Sequence, residues 1–221
     1  MTKLDATTAK RVTADWGAVF PEFSSWKPLR LIRRIGPVLQ GITLDRSSSG
    51  DEYFPTVHVH ALTRAFPVVS LTLNHRLVTS SGVQEPISFV RHDSDFANAA
   101  ERLEGQSNLS LRAWPTVQEI VSAYHAFAVT QKDKGYPPAV NEVEDSVLIP
   151  AAAGYQDSVA ASLLLARELL ELWPKSRLPL DWTSAETWLE GLANRSRDVA
   201  ELSAIVENQI AFHKLSKVRS T

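Results

Sequence analysis

The chain of 221 residues has no cysteine, so disulfides, thiolate nucleophiles and Cys-ligated zinc are excluded. Any metal centre has to be built from His, Asp or Glu. No apolar run approaches the length needed to cross a bilayer. The opening stretch MTKLDATTAKRV has charges on both sides of its few apolar residues and no hydrophobic segment, so it does not read as a signal peptide. The default expectation is a soluble cytoplasmic protein with no membrane partner. A strong excess of charge is missing too. The formal net charge is −2 and the pI about 6.3, which leaves no global electrostatic footprint for nucleic acid. There is no P-loop, dinucleotide fingerprint, H-E-x-x-H helix or G-x-S-x-G elbow. Composition is otherwise ordinary for a globular protein, with 44% hydrophobic and 22% charged residues.

What is present is a change of hydrophobic period along the chain. The stretch 54–73, FPTVHVHALTRAFPVVSLTL, carries one charge, Arg64, and is rich in Val, Thr and Leu. Its alternation predicts two neighbouring strands at the centre of an antiparallel sheet, with a turn at 64–67. Upstream, LRLIRRI and VLQGITLD read as two strands joined by a Gly36-Pro37 turn, followed by the polar loop 46–52. ISFV at 87–90 is a further strand. Residues 1–15 suggest a frayed or helical arm, and Trp16, Val19, Phe20 and Phe23 an apolar element that docks on the sheet.

From Asp93 onward the period is helical, with Asp93 or Ser94 as the first cap. Thr116-x-x-Glu119 is a capping-box pattern, and Thr183-x-x-Glu186 and Asp198-x-x-Glu201 open two later helices. A helix is expected over about 157–173. Lys214, Lys217 and Arg219 are placed in the final turns of the last helix, where cations complement the dipole. Residues 131–150, with the acidic NEVED, read as a linker and solvated loop. Strands first and helices second predict an α+β fold, with a sheet of about four to five strands followed by a mostly helical half. The division expected is 1–150 for the sheet region and 151–221 for a helical region packed on it as one compact unit.

Two groups of side chains invite a functional reading. His58 and His60 are two apart on a strand, so their rings leave the same face, a workable geometry for two metal ligands. His75, His92 and Asp93 could complete such a site. Against this, Val57, Val59 and Ala61 form the expected inward face, and the next strand offers Ser70 and Thr72 rather than carboxylates. The ordinary reading, surface or hydrogen-bonded histidines, therefore leads, and no metal, cofactor or catalytic residue is assigned.

The second group is Trp26, Lys27, Arg30, Arg33 and Arg34, the only basic cluster of the N-terminal half. Trp and Arg are the residue types that anchor protein interfaces; the same residues can bind phosphate or stack on bases as a nucleic-acid binder would, and a solvated strand is the plain reading. In general style, a cysteine-free α+β chain with a well-patterned sheet and no catalytic motif resembles the single-domain immunity and antitoxin proteins of bacterial conflict systems. That resemblance implies a non-enzymatic protein that covers a toxin's active surface. The expected contact residues are Trp26, Arg30, Arg34, His58 and His60, with the acidic 141–145 stretch as a second contact. The competing reading is a metal-dependent hydrolase or nuclease built on the His-x-His pair. The oligomeric state is left open.

Overall fold

The computed structural model describes residues 5–174, 176, 179 and 182–221. Its elements are α1 (Ala6–Val19), β1 (Ser24–Lys27), β2 (Arg30–Ile35), β3 (Val38–Arg46), β4 (Glu52–Ala61), β5 (Thr72–Arg76) and β6 (Ile87–Ser88). Six helices follow: α2 (His92–Gln106), α3 (Val117–Asp133), α4 (Val140–Ala152), α5 (Gln156–Leu172), α6 (Ala185–Arg197) and α7 (Val199–Phe212). The α+β expectation holds. The chain divides into two compact units: residues 1–60, 70–114 and 216–221 form the first, and residues 61–69 and 115–215 the second. A boundary at 150 would cut α4.

The first unit is built on an antiparallel sheet of order β1-β2-β3-β4-β5, with β6 pairing β4 beside β5. Gly36 adopts φ 51° and closes the two-residue turn that sets Ile35 opposite Val38; a left-handed first position is the geometry that favours glycine. One apolar layer joins the sheet to α1 and α2. It contains Val12, Trp16 and Phe20 near the N-terminus, Leu31, Ile42, Leu44, Tyr53 and Val57 on strands, and Ala99, Ala100 and Leu103 on α2. Burying such side chains contributes roughly 1.5–3 kcal/mol each before conformational entropy is subtracted. The N-terminal arm is a capped helix, since Asp5 accepts from the Thr8 amide at 2.8 Å.

Several expectations need correction. β1 lies upstream of the expected strands. β4 has neighbours on both sides, but β5 is an edge strand that begins at Thr72, and residues 62–71 form no strand. The α2 helix begins at His92, ahead of the expected caps Asp93 and Ser94, and its N-cap Arg91 makes no side-chain cap.

The second unit is helical. Thr116 and Glu119 form the reciprocal capping box in full, and Asp198 caps α7 through the Glu201 amide. Ser184, one residue after Thr183, is the cap of α6. The acidic stretch is the start of α4 rather than a loop, because Val143, Val147, Leu148 and Ala151 give it an apolar face buried among Val159, Leu192, Leu202 and neighbouring side chains. Pro150 sits near its C-terminal end. No helix among the described residues is long and apolar enough to cross a membrane.

Candidate functional site

The histidine pair sits on β4, and both faces of that strand are buried. Val57, Val59 and Ala61 on one face are 5%, 2% and 5% exposed, while His58 and His60 on the other are 3% and 2%. Strand alternation delivers the shared face as expected, but the expected exposure is absent. His58 Nε2 pairs with Thr43 Oγ1 at 3.1 Å, and His60 Nδ1 accepts from the Ser70 amide at 3.0 Å and the Ser70 hydroxyl at 2.7 Å. Burial, and then the neighbouring His60 and Arg30, push His58 down to about 3, so its ring is neutral at pH 7. Across the sheet, Gly41 leaves the room that the ring occupies: a Cβ there would lie 2.3 Å from His58 Nε2. As a buried, hydrogen-bonded pair, His58 and His60 offer no surface for a partner to grip, so they are withdrawn as contact residues. Nor does the structure bring His75 or His92 to them. His75, on β5, pairs with Gln106 at 3.2 Å.

His92 belongs to a different network. Among the described residues, one group of three has metal-ligand spacing: Asp15, His92 and Asp93, with one donor atom each within 4.8 Å of the others. Its hydrogen bonds have a single consistent polarity. Trp16 Nε1 can only donate, and it lies 3.1 Å from the Tyr53 hydroxyl oxygen. The Tyr53 hydroxyl then donates to His92 Nδ1 at 2.7 Å, and His92 Nε2–H donates to Asp15 Oδ2 at 3.1 Å. A metal on Nε2 would displace Asp15 and reverse this chain, stranding the Tyr53 hydroxyl hydrogen in a residue that is 0% exposed. Arg11 already neutralises Asp93.

The order Asp–His–Tyr also mimics a nucleophile relay. However, Tyr53 is held away from ionisation by burial, whereas a nucleophile needs the opposite shift. His92 is likewise held below its ordinary value by burial, against the pull of Asp15. The network fastens α1, β4 and α2 together.

A second relay-like arrangement in the helical unit is also structural. Ser162 donates to the Ser146 carbonyl at 2.8 Å, so it accepts from His125 at 2.8 Å and cannot pass that histidine a proton as an activated nucleophile would.

The basic group is where the structure adds most. Lys27 of β1 is directly opposite Arg30 of β2, a like-charge cross-strand pair that costs stability unless water or an anion screens it. The turn between them places Leu29 at φ 62°. That left-handed backbone is strained for a bulky residue and is pinned by Leu29's amide donating to Thr13 Oγ1 at 2.8 Å and its carbonyl accepting from Leu44. Trp26 is half-buried, with the Lys27 ammonium 3.9 Å over its ring. Arg33 is the exception in this group. It is fully buried, donates to Gln40, Ser110 and Ala113, and lies between the rings of Phe23 and Trp114.

Beyond α7 the chain leaves the helix and returns to the other end of β2. Ser220 bridges Arg34 in parallel. The Arg34 amide donates to the Arg219 carbonyl at 2.9 Å, the Thr221 amide to the Arg34 carbonyl at 3.2 Å, and the Arg219 amide to Ser24 Oγ at 2.9 Å. Lys217 and Arg219 therefore do not end a helix as expected; the chain around Arg219 pairs with the Arg34 end of β2, four residues from Arg30, and the bridge of Ser220 to Arg34 puts Arg219 on the opposite strand face. Lys27, Arg30, Lys217 and Arg219 are exposed, Arg34 is half-buried, and among the described residues none of the five has a carboxylate at ion-pair distance. The sequence alone did not reveal this pairing, because the two segments are almost two hundred residues apart.

The chain matches no known family, no curated protein and no solved structure.

Proposed function

We propose that the protein is a non-enzymatic binding module that docks an acidic protein surface on the β1–β2 corner, in the manner of an immunity or antitoxin-type protein covering a toxin. One observation carries the reading: Lys27 faces Arg30 across β1 and β2, Arg34 follows on the same strand face, and among the described residues none of the three has a carboxylate at ion-pair distance, in a chain whose net charge is −2. Such a patch steers and orients an oppositely charged partner, and Trp26 beside it supplies the apolar anchor that charge alone lacks. Trp26, Arg30 and Arg34 remain contact residues from the sequence reading, and Lys27 joins them. Glu144 and Asp145 leave it, because Glu144 is occupied by Trp188 and Arg195, and Asp145 is buried against Arg64.

The test is binding of poly-L-glutamate, followed by capture of a partner from the native host with wild-type protein and with Lys27→Ser/Arg30→Ser as bait. Salt-sensitive binding of poly-glutamate and a captured protein lost by the variant are expected. Binding of a single-stranded oligonucleotide but not poly-glutamate would overturn the reading in favour of nucleic acid.

A further inference from the structure

We infer that the Lys27–Arg30 turn is a preformed seat for one carboxylate of the partner, and that Thr13, buried on α1, is the positioning residue that keeps it in shape. The inference rests on the proposed reading of the β1–β2 corner and names what that corner grips.

Three features that cost stability coincide at this turn. Lys27 and Arg30 are paired directly opposite one another, so their like charges repel. Between them, Pro28 fixes its own φ, and Leu29 takes φ 62°, a left-handed backbone that a turn ordinarily gives to glycine. Upstream, the register shifts between Ser25 and Lys27. Such an irregularity breaks the alternation that would send Trp26 and Lys27 to opposite faces, and the Lys27 ammonium lies 3.9 Å over the Trp26 ring. A hairpin end of this kind, left to itself, would relax by splaying its two cations apart.

The core side holds it shut. The Leu29 amide donates to Thr13 Oγ1 at 2.8 Å, and Thr13 in turn donates to the Ala9 carbonyl at 2.6 Å. The Leu29 carbonyl accepts from the Leu44 amide at 2.9 Å, and its side chain is buried in the apolar layer that contains Val12, Trp16 and Leu44. These contacts fix the backbone of the turn and leave Lys27, Pro28 and Arg30 exposed. Strain and unrelieved like charge, both held in place by the surrounding structure, mark a preorganised site rather than a solvated strand. A carboxylate set between the two side chains supplies what the pair lacks. The Arg30 fork takes its two oxygens, the Lys27 ammonium adds a further donor, and repulsion becomes attraction. Because the turn is already closed, binding does not have to order its backbone.

The experiment asks whether the two cations act as one site and whether Thr13 acts through them. Poly-L-glutamate affinity is measured at low salt for wild type, Lys27→Ser, Arg30→Ser and the double variant. Thr13→Val, which keeps the shape but removes the acceptor of the Leu29 amide, is measured in the wild-type and double-variant backgrounds. Each single cation variant is expected to lose about three- to tenfold. The double variant should lose little more than one single, because either cation alone leaves the seat unmade. Thr13→Val, with no change of charge, should lose a similar factor in the wild-type background and nothing further in the double variant. If the losses at Lys27 and Arg30 multiply, the cations act independently and the seat is wrong, though the binding module stands. Equal losses for Thr13→Val in both backgrounds would make its role general stability, and wild-type binding would give it no role; either result overturns the positioning claim. Pro28→Gly loosens the same turn from its exposed side, and it replaces Thr13→Val if circular dichroism shows that variant unfolded. Wild-type protein that does not bind poly-glutamate would sink the binding module itself.

Discussion

Each unit of the molecule buries one charge, and the two are stabilised by opposite means. In the sheet unit the buried charge is the cation of Arg33. Its guanidinium donates to Gln40 Oε1 and to the carbonyls of Ser110 and Ala113, with the faces of Phe23 and Trp114 at 4.5 and 4.8 Å. Among the described residues no carboxylate stands at ion-pair distance from it, and burial, opposed by Glu22 and Glu104, brings it down only to about 10, so it stays charged at neutral pH. In the helical unit the buried charge is the carboxylate of Asp145 on α4. Arg64 stands 2.8 Å away, yet Oδ2 has no hydrogen-bond donor among the described residues, and Glu142 and Glu144 flank the group. Burial lifts it to about 7. A delocalised cation can be solvated by carbonyl dipoles and ring faces. A carboxylate needs directed N–H donors, and without a full set it takes up a proton instead.

The largest expected effect tests the Arg33 side of this contrast. Arg33→Met leaves the Gln40, Ser110 and Ala113 acceptors buried without their donor, which should cost about 3–5 kcal/mol in urea denaturation. A loss under 1 kcal/mol would show that the carbonyls find other partners. Next comes the packing on the opposite face of β3. Gly41→Ala drives a methyl into His58 and should cost roughly 1–3 kcal/mol. Adding His58→Ala should recover part of that loss, and a strictly additive double mutant would disprove the contact as its cause.

The pH dependence should run in opposite directions in the two units. Asp145 is raised from 3.8 to about 7, so the native state holds a proton that the unfolded chain has released. Its contribution is complete below pH 4 and is lost as pH rises through 7. His58 is lowered from 6.5 to about 3. The unfolded chain then takes the proton first, and stability falls as pH drops below about 6.5 towards 3. Site-resolved hydrogen exchange should show residues 115–215 weakening from pH 5 to 8 by about 1–3 kcal/mol, with Asp145→Asn abolishing that slope, while the sheet unit weakens on acidification. Parallel pH trends in both units would refute the contrast. The smallest effect is at Tyr53. Tyr53→Phe should cost about 1 kcal/mol and let His92 take a proton more readily, since Nδ1 loses its donor. An NMR titration in which His92 does not move would show that the Tyr53 hydroxyl points elsewhere.

Legibility followed the range of the interactions. The capping box at Thr116–Glu119, the Asp198 cap, the Gly36-Pro37 turn and the strand character of 54–61 are written in neighbouring residues, because turns and caps are satisfied within one turn of chain. Alternation placed His58 and His60 on one face, but it could not say that this face is buried. The acidic start of α4 looked like a loop because Glu142, Glu144 and Asp145 outweigh Val143 and Val147 in composition. Burial of Asp145 depends on Arg64, eighty-one residues earlier.

By itself, then, the sequence determined the α+β order, the strand and helix periods, the local caps, and the exclusion of cysteine chemistry and of a long apolar span. Each of these is a property of composition or of residues close in the chain. Tertiary structure decided the Tyr53–His92–Asp15 lock, the burial of Arg33 and Asp145, and the return of residues 219–221 to Ser24, Arg34 and Gly36. All of these require segments from 39 to 195 residues apart to meet. Closing such loops costs entropy that only the whole core can offset, so no local pattern announces them.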